Sequence, residues 1–441
     1  MKSRILIFFV ISIAILIFLY IYMHRDRGRV VDPTHTVFIK NTEDGFQLNR
    51  NGSPFHIKGA GGLGHMKELA EAGGNTLRVY DTLNLQSLLD EAHRYGIALI
   101  VDIPLPTNES NDTYYADKEY ILKIKRDIRN LVRRYKDHPS LLIWNLGNEL
   151  YFPLVARENN FIKVFNQLVD LIHEEDPDHL VSTTVVGVSR SQTLSIHLMA
   201  PKLDIIGFNA FGNITRLKTV MNAVGWITKP KPYYITEWGN HGPWESDTNL
   251  WKAVLEPTST AKGEIYKDIY LTYIDPDSDC LGSLAFYWGY KHEGTPTWFN
   301  ILDEEGRKSE VYYYLKSLWT RTQLEDTPRS KIQNILLNNT EMNHQVFAPE
   351  NVMTVQLNML DTITHNLSFD WKIYKEGWGL HEWIAEPDTL KISDIKNSFS
   401  NTVEFNVPEE DGPYRIVVSV QDDAGNFATT NIPFYVLNHD R

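Results

Sequence analysis

Cysteine is almost absent. Cys280 stands alone among 441 residues, which excludes an internal disulfide framework and any cysteine-based zinc site. Positive charge is also short. Lys+Arg 43 against Asp+Glu 56 leaves a formal charge of −13, a surface that repels a phosphate backbone, so nucleic acid is not an expected partner. The 15 His are scattered, with no His-x-x-x-His or paired-carboxylate spacing on one helix, and no metal site is expected. Gly187-Val188-Ser189-Arg190-Ser191 lacks the second glycine of a nucleophile elbow. Gly59-Ala60-Gly61-Gly62-Leu63-Gly64 is rich in glycine, but no acidic ribose partner can be placed downstream. Dinucleotide binding is therefore not indicated, and no cofactor is implied.

Aromatic residues, by contrast, are abundant at 12%, with 11 Trp and 22 Tyr. Flat aromatic faces suit the apolar faces of sugar rings, and they also fill large cores. The first thirty residues carry a second surplus. From Ile5 to Met23 the chain is apolar except for Ser12, with Lys2 and Arg4 before it and Arg25, Arg27 and Arg29 after it. Such a run, as a helix, is roughly 28 Å long, close to the hydrocarbon thickness of a bilayer. Leu19-Tyr20-Ile21-Tyr22-Met23 offers no small-x-small cleavage site. Residues 1–30 are thus expected to form an uncleaved transmembrane helix, with a cleaved signal segment as the other reading. The charges on its two sides do not fix its direction, and the domain that follows is expected to be extracytoplasmic.

Asn51-Gly52 between two apolar runs is a hairpin signal. Short β-branched or apolar runs then recur at 55–58, 76–80, 98–103, 141–146, 180–186, 205–208, 233–236 and 284–288. Between them lie helical spacings, such as Leu85, Leu88, Leu89, Ala92 and Tyr95, or Phe161, Val164, Phe165, Leu168, Leu171 and Ile172. Strand and helix alternating in this way predict an α/β fold, a (β/α)8 TIM barrel over residues 37–325. Past Thr327-Pro328 the helical period fades and short alternating segments appear, separated by turn clusters. Residues 328–441 therefore read as a small immunoglobulin-like β-sandwich. Its Trp371, Trp378 and Trp383 are expected to support the fold, with polysaccharide binding as the other reading.

In a barrel, function gathers at the carboxyl ends of the strands. The fourth run leads into Gly147-Asn148-Glu149 and the seventh into Glu237-Trp238-Gly239. A lone glutamate at a strand end is more often an ion-pair partner than a catalyst. Two at matching places form the pair that glycoside hydrolysis needs, one carboxyl to protonate the leaving oxygen and one to attack the anomeric carbon or activate water.

Asn75-Thr76 with Arg78-Val79-Tyr80, Trp144-Asn145-Leu146-Gly147-Asn148-Glu149, Thr236-Glu237-Trp238-Gly239 and Phe286-Tyr287-Trp288-Gly289 resemble, in order, the strand-end motifs of the clan A glycoside hydrolases. The likeness covers about residues 45–320 and is nearest to family 2-type barrels and barrel enzymes acting on β-1,3-glucan. It implies a retaining β-glycosidase with Glu149 as acid/base and Glu237 as nucleophile, and with β-glucan as the favoured substrate. It also implies that Asn148 holds the sugar 2-hydroxyl, that Arg78 hydrogen-bonds Glu237, and that Trp288 floors the sugar subsite. Tyr80, Asn209, Trp238, His292 and Trp298 complete the expected substrate contacts. Tyr114, Tyr115 and Trp244 are further loop candidates, and Glu293 is a third carboxylate expected to be a subsite or structural residue. One departure stands out. Phe211 occupies the region near the sixth strand's end where the clan usually places a tyrosine; Tyr80, Tyr234 and Tyr287 are the alternative donors. The same two glutamates would serve a transglycosylase, and a silent carbohydrate-binding barrel is the reading from another class.

Overall fold

The computed structural model describes residues 2–25, 32–43, 45–106, 113–349, 351–360, 366–376, 389–390 and 399–438. Eight strands close into a barrel: β1 (Ile57–Gly62), β2 (Thr76–Val79), β3 (Ala98–Ile103), β4 (Leu141–Leu146), β5 (Leu180–Val186), β6 (Ile205–Asn209), β7 (Tyr233–Trp238) and β8 (Cys280–Trp288). The pairings that link β1 through to β7 are all parallel. Parallel strands buried on both faces read as near-continuous apolar runs, and β3, β4 and β7 are buried at every position. Each of the eight runs read from the sequence overlaps one barrel strand, the first only at Ile57 and Lys58.

Helices stand at Leu85–Tyr95, Lys118–Tyr135, Asn160–Glu175, Leu217–Gly225, Ser259–Ile269 and Glu310–Thr320, the first and third of them on the two spacings named from the sequence. Several begin at a side-chain cap: Asp117 accepts from the backbone of Glu119 and Tyr120, and Asn159 from that of Ile162, satisfying donors that the first turn leaves open. Two short helices, Met66–Glu71 and Arg190–Met199, carry no apolar period that announced them. In the second, Gln192, Thr193, Ser195 and His197 are buried polar residues, so the buried face is not an apolar stripe.

Glycine-rich β1 is a strand and not a phosphate loop. A Cβ on Gly59 would stand 1.8 Å from the carbonyl oxygen of Thr76, so β1 approaches β2 closely only because glycine lies there. Ahead of β1, Val37–Thr42 and Gly45–Arg50 pair antiparallel. Asn51 and Gly52 both have positive φ, the geometry of a tight hairpin turn. Val37, Ile39 and Leu48 of this hairpin join Ile57, Ala98, Ile100, Leu142 and Leu180 in one apolar cluster. The hairpin thus plugs the amino-terminal end of the barrel.

Two compact units divide the chain: residues 1–61 with 75–238 and 273–284, and residues 62–74 with 239–272 and 285–441. The second contains two further sheets. One joins Ile332–Leu337, Val352–Met359 and Thr402–Asn406; the other joins Gln345–Phe347, Phe427–Val436, Gly412–Asp422, Leu367–Lys375 and Thr389–Leu390. Leu337, Val355 and Val403 from one sheet and Ile373, Ile416 and Phe434 from the other share a core, which makes the pair a sandwich.

Lys2–Met23 is one helix. Its described side chains from Ile11 to Tyr22 include a long series of exposed apolar groups. Among the described residues no helix is long and apolar enough to cross a membrane, so they do not supply the expected span.

Candidate active site

In the first unit, the ends of β2, β3, β4, β6 and β7 converge on one guanidinium. Arg78, at the end of β2, is fully buried. Its Nε and Nη2 donate to Asp102 Oδ1 and Oδ2 of β3, at 3.0 and 2.7 Å, a bidentate fork that fixes the plane of the group. Nη2 also donates to Asn148 Oδ1 at 2.6 Å. Nη1 donates to Glu237 Oε1 at 3.1 Å and to Asn209 Oδ1 at 3.3 Å. Burial alone would weaken this charge; Asp102 first, and Glu237 with it, overcome that and hold the proton affinity of Arg78 well above its usual value.

Asn209, the last residue of β6, carries the network onward. Its Oδ1 accepts from Thr236 Oγ1 at 2.8 Å, and its Nδ2 donates to Glu149 Oε1 at 2.8 Å. Glu237 and Glu149 are therefore joined through two side chains, Arg78 and Asn209. Local backbone explains why both acids turn inward. The β6–β7 register shifts between Ile235 and Glu237, and a bulge of this kind re-aims the side chain that follows it. After β4, Gly147 has φ 81° and Glu149 itself φ 54°, a conformation that costs a residue with a Cβ on the order of 1 kcal/mol or more. A Cβ on Gly147 would also stand 2.4 Å from Leu150 Cδ1. Underneath, Asn145 donates to Asp102 at 2.8 Å and accepts from Ser182 at 2.9 Å, so the floor of the network is itself hydrogen-bonded.

The structure thus brings together Arg78, Tyr80, Asn148, Glu149, Asn209 and Glu237 from the expected set. Tyr80 lies 4.7 Å from the guanidinium carbon of Arg78, a cation–π distance. Phe211 is buried, and Arg78 donates to the carboxylate that the missing tyrosine would have touched. Tyr234 is fully buried and shares a 2.9 Å hydrogen bond with Ser182.

The other expected sugar contacts are buried side chains or belong to the second unit. Trp238 is fully buried. Trp288 and Trp298, in the second unit, are fully buried as well. Trp288 donates to the His65 carbonyl at 3.1 Å and packs on Tyr312 and Trp319; Trp298 donates to the His241 carbonyl at 2.9 Å. Neither ring offers a face to solvent, so packing takes the place of the subsite floor expected of Trp288 and of the loop sugar contact expected of Trp298. Tyr287 is likewise part of the second unit. Glu293 pairs with Lys291 at 2.6 Å, and His292 is half-buried beside it. Tyr115 is buried and donates to the Pro106 carbonyl, whereas Tyr114 and Trp244 are exposed. Trp371 belongs to the sandwich core; Trp378 and Trp383 fall outside the described residues.

Asp102 is the functional-site residue that the sequence reading passed over. Its signal was present: one acid inside Ala98–Ile103, a strand otherwise apolar. A buried carboxylate needs a partner, and Arg78 is that partner.

The fold and this constellation are similar to those of the clan A glycoside hydrolase barrels. Residues 74–252 match the sequence model described as "Glycosyl hydrolases family 2, TIM barrel domain", and the barrel is of that family's type. The chain is similar to a β-galactosidase of Bacteroides ovatus, 22% identical over 59% of this chain and 36% of the relative. Among solved structures, a β-D-glucuronidase of Dictyoglomus thermophilum aligns with TM-score 0.51 at 17% identity, over 66% of this chain and 54% of that one. The Ruminococcus gnavus β-glucuronidase aligns with TM-score 0.50 at 15% identity, over 65% and 53%. At such identities the structural likeness shows the fold alone. The chain spans about a third of the length of the curated relative.

Proposed function

We propose that this protein is a retaining β-glycosidase that works by double displacement, with Glu237 as nucleophile and Glu149 as acid/base. One observation carries the reading: the ends of β4 and β7 hold two carboxyl groups linked through Arg78 and Asn209. A cation against Glu237 favours the ionised, attacking form. Glu149 lies in the left-handed region and is only half-buried, open to the leaving oxygen that it protonates. Asn148 gives its oxygen to Arg78, which leaves its amide to donate to a sugar hydroxyl.

β-Galactosides and β-glucuronides are the first substrates to offer, since relatives carry those names. The β-glucan preference implied by the sequence resemblance has no counterpart in them. The decisive test uses aryl β-glycosides with the wild type, Glu237→Gln and Glu149→Ala. Glu237→Gln loses turnover and keeps sugar binding; Glu149→Ala is rescued by azide, giving a β-glycosyl azide. Turnover that survives Glu237→Gln sinks the assignment.

We further propose, from the apolar run Ile5–Met23 in the sequence, that the amino-terminal segment inserts in a bilayer and holds the barrel outside the cytoplasm. Extraction of the full chain by detergent but not by alkaline carbonate, together with protease access to the barrel from outside intact cells, is the expected result.

A further inference from the structure

The amino-terminal face of the barrel carries features that the catalytic reading does not use. Lys2–Met23 ends against the segment that leads into β7: Thr228 Oγ1 donates to the Met23 carbonyl at 3.0 Å, and the His24 ring donates to the Gly225 carbonyl at 3.4 Å. On that segment Trp226 is 84% exposed, which is rare for so large an apolar group. Tyr20 and Tyr22 are exposed at the same end of the helix.

Beside them opens a cavity of about 410 Å3. Val37, Ile39, Phe46, Leu180, Leu198 and Pro232 give it an apolar wall, and Arg25, Lys40 and Lys229 give it basic edges. Two acids also line it, and both are engaged. Asp204 accepts from His173 at 2.7 Å and from the backbone of Val181 at 2.8 Å; Asp32 faces His35 at 3.7 Å and accepts from Thr34. On a chain of net charge −13, a basic rim around an apolar hollow is a local reversal of charge.

We propose that this face is a membrane-contact surface whose cavity takes one lipid with an anionic headgroup, the proposal resting on the reading that Lys2–Met23 inserts in a bilayer. Trp226, Tyr20 and Tyr22 have the amphipathic rings that settle at headgroup depth, next to the end of an apolar helix. The headgroup phosphate meets Arg25, Lys40 and Lys229, and an acyl chain enters the apolar hollow. A polarity for the whole barrel follows. Tyr233 begins β7 at this face and Glu237 lies four residues farther on, roughly 13 Å along the strand. The carboxylates therefore open away from the bilayer, toward soluble or wall-borne glycans and not toward sugars at the lipid surface.

The test uses the full chain in vesicles of phosphatidylcholine, with or without phosphatidylglycerol and with or without brominated acyl chains. Wild-type protein is expected to float with both vesicle types and to lose part of its tryptophan emission to the brominated chains. Trp226→Phe removes most of that lost part. After detergent extraction, native mass spectrometry finds phosphatidylglycerol retained in preference to phosphatidylcholine. Lys40→Glu with Lys229→Glu lowers that retention by about tenfold or more, since each basic group near an anionic surface is worth a factor of roughly five. Flotation with equal quenching in wild type and Trp226→Phe, or with lipid retention indifferent to the charge reversals, overturns the contact surface and leaves the anchor standing. Failure to float overturns both.

Discussion

At the scale of single residues, the network around Arg78 separates charge from geometry. Lysine at position 78 would keep a positive charge but could not hold Asp102 by two bonds while also reaching Asn148, Asn209 and Glu237. Arg78→Lys is therefore expected to lower kcat about 100-fold or more, in the range found when a preorganised donor is removed from an active site, with a smaller change in KM. Steady-state kinetics on an aryl glycoside would check this, and kcat within a few-fold of wild type would show that Arg78 supplies charge alone. The acids at the ends of β4 and β7 were legible because each follows an apolar strand directly. The arginine's true anchor, Asp102, was not, because its meaning depends on a partner 24 residues away. Trp288 and Trp298 show the opposite error. Position at a strand or loop end suggested a sugar platform, whereas burial of the whole ring is a property of packing that spacing does not reveal.

His197 gives a residue-scale prediction with a sign. Its Nδ1 donates to the Thr193 carbonyl at 2.7 Å, and its Nε2 accepts from the backbone N–H of Lys231 at 3.2 Å. Only the neutral ring can make both bonds. Burial, opposed by the bond to Thr193 and reinforced by the Lys231 charge, lowers its pKa to about 4. Between that value and the unfolded value near 6.5, the unfolded chain binds a proton that the folded chain refuses. Stability should therefore be whole above about pH 6.5 and fall by about 3 kcal/mol as the pH drops to about 4. Denaturant unfolding across that range, compared with His197→Gln, is the measurement; the variant should lose most of the slope.

At the scale of elements, Gly59 decides how near β1 lies to β2. A methyl group there would overlap the Thr76 carbonyl at 1.8 Å, and backbone cannot swing aside as a side chain can. Gly59→Ala is expected to cost at least about 3 kcal/mol, more than ordinary overpacking, and a thermal melt would show it. By contrast, Gly52→Ala meets nothing within 4 Å and loses only the ease of its positive φ, so it should cost about 1 kcal/mol. The barrel strands were readable because burial on both faces leaves uninterrupted apolar runs. Arg190–Met199 was not, since Gln192, Thr193, Ser195 and His197 share its buried face with Ile196; Thr193 and His197 are held there by hydrogen bonds, which apolar periodicity does not announce.

At the scale of the whole molecule, the sandwich is more than an appendage in sequence order. Within the second unit, the Glu256 side chain is buried and accepts from Lys262 at 2.5 Å, from Thr295 at 2.5 Å, from Thr297 at 2.9 Å and from Asn431 of the sandwich at 2.6 Å. Arg415, also of the sandwich, donates to Asn431 and to the Val254 carbonyl and pairs with Glu376. Burial raises the cost of ionising Glu256, yet Lys262 foremost, with these donors, holds its carboxyl below the usual range. The sandwich therefore shares a buried polar hub with the segments on either side of Ser259–Ile269, which gives its supporting role a physical basis. Lys262→Met would leave a buried carboxylate without its cation, at about 3–5 kcal/mol, whereas Lys262→Met with Glu256→Leu removes both charges and should recover much of that loss. Differential scanning calorimetry decides the matter. If the sandwich is integral, the single variant lowers one joint transition that contains it. If an unshifted transition for residues 328–441 splits away instead, the hub does not couple them.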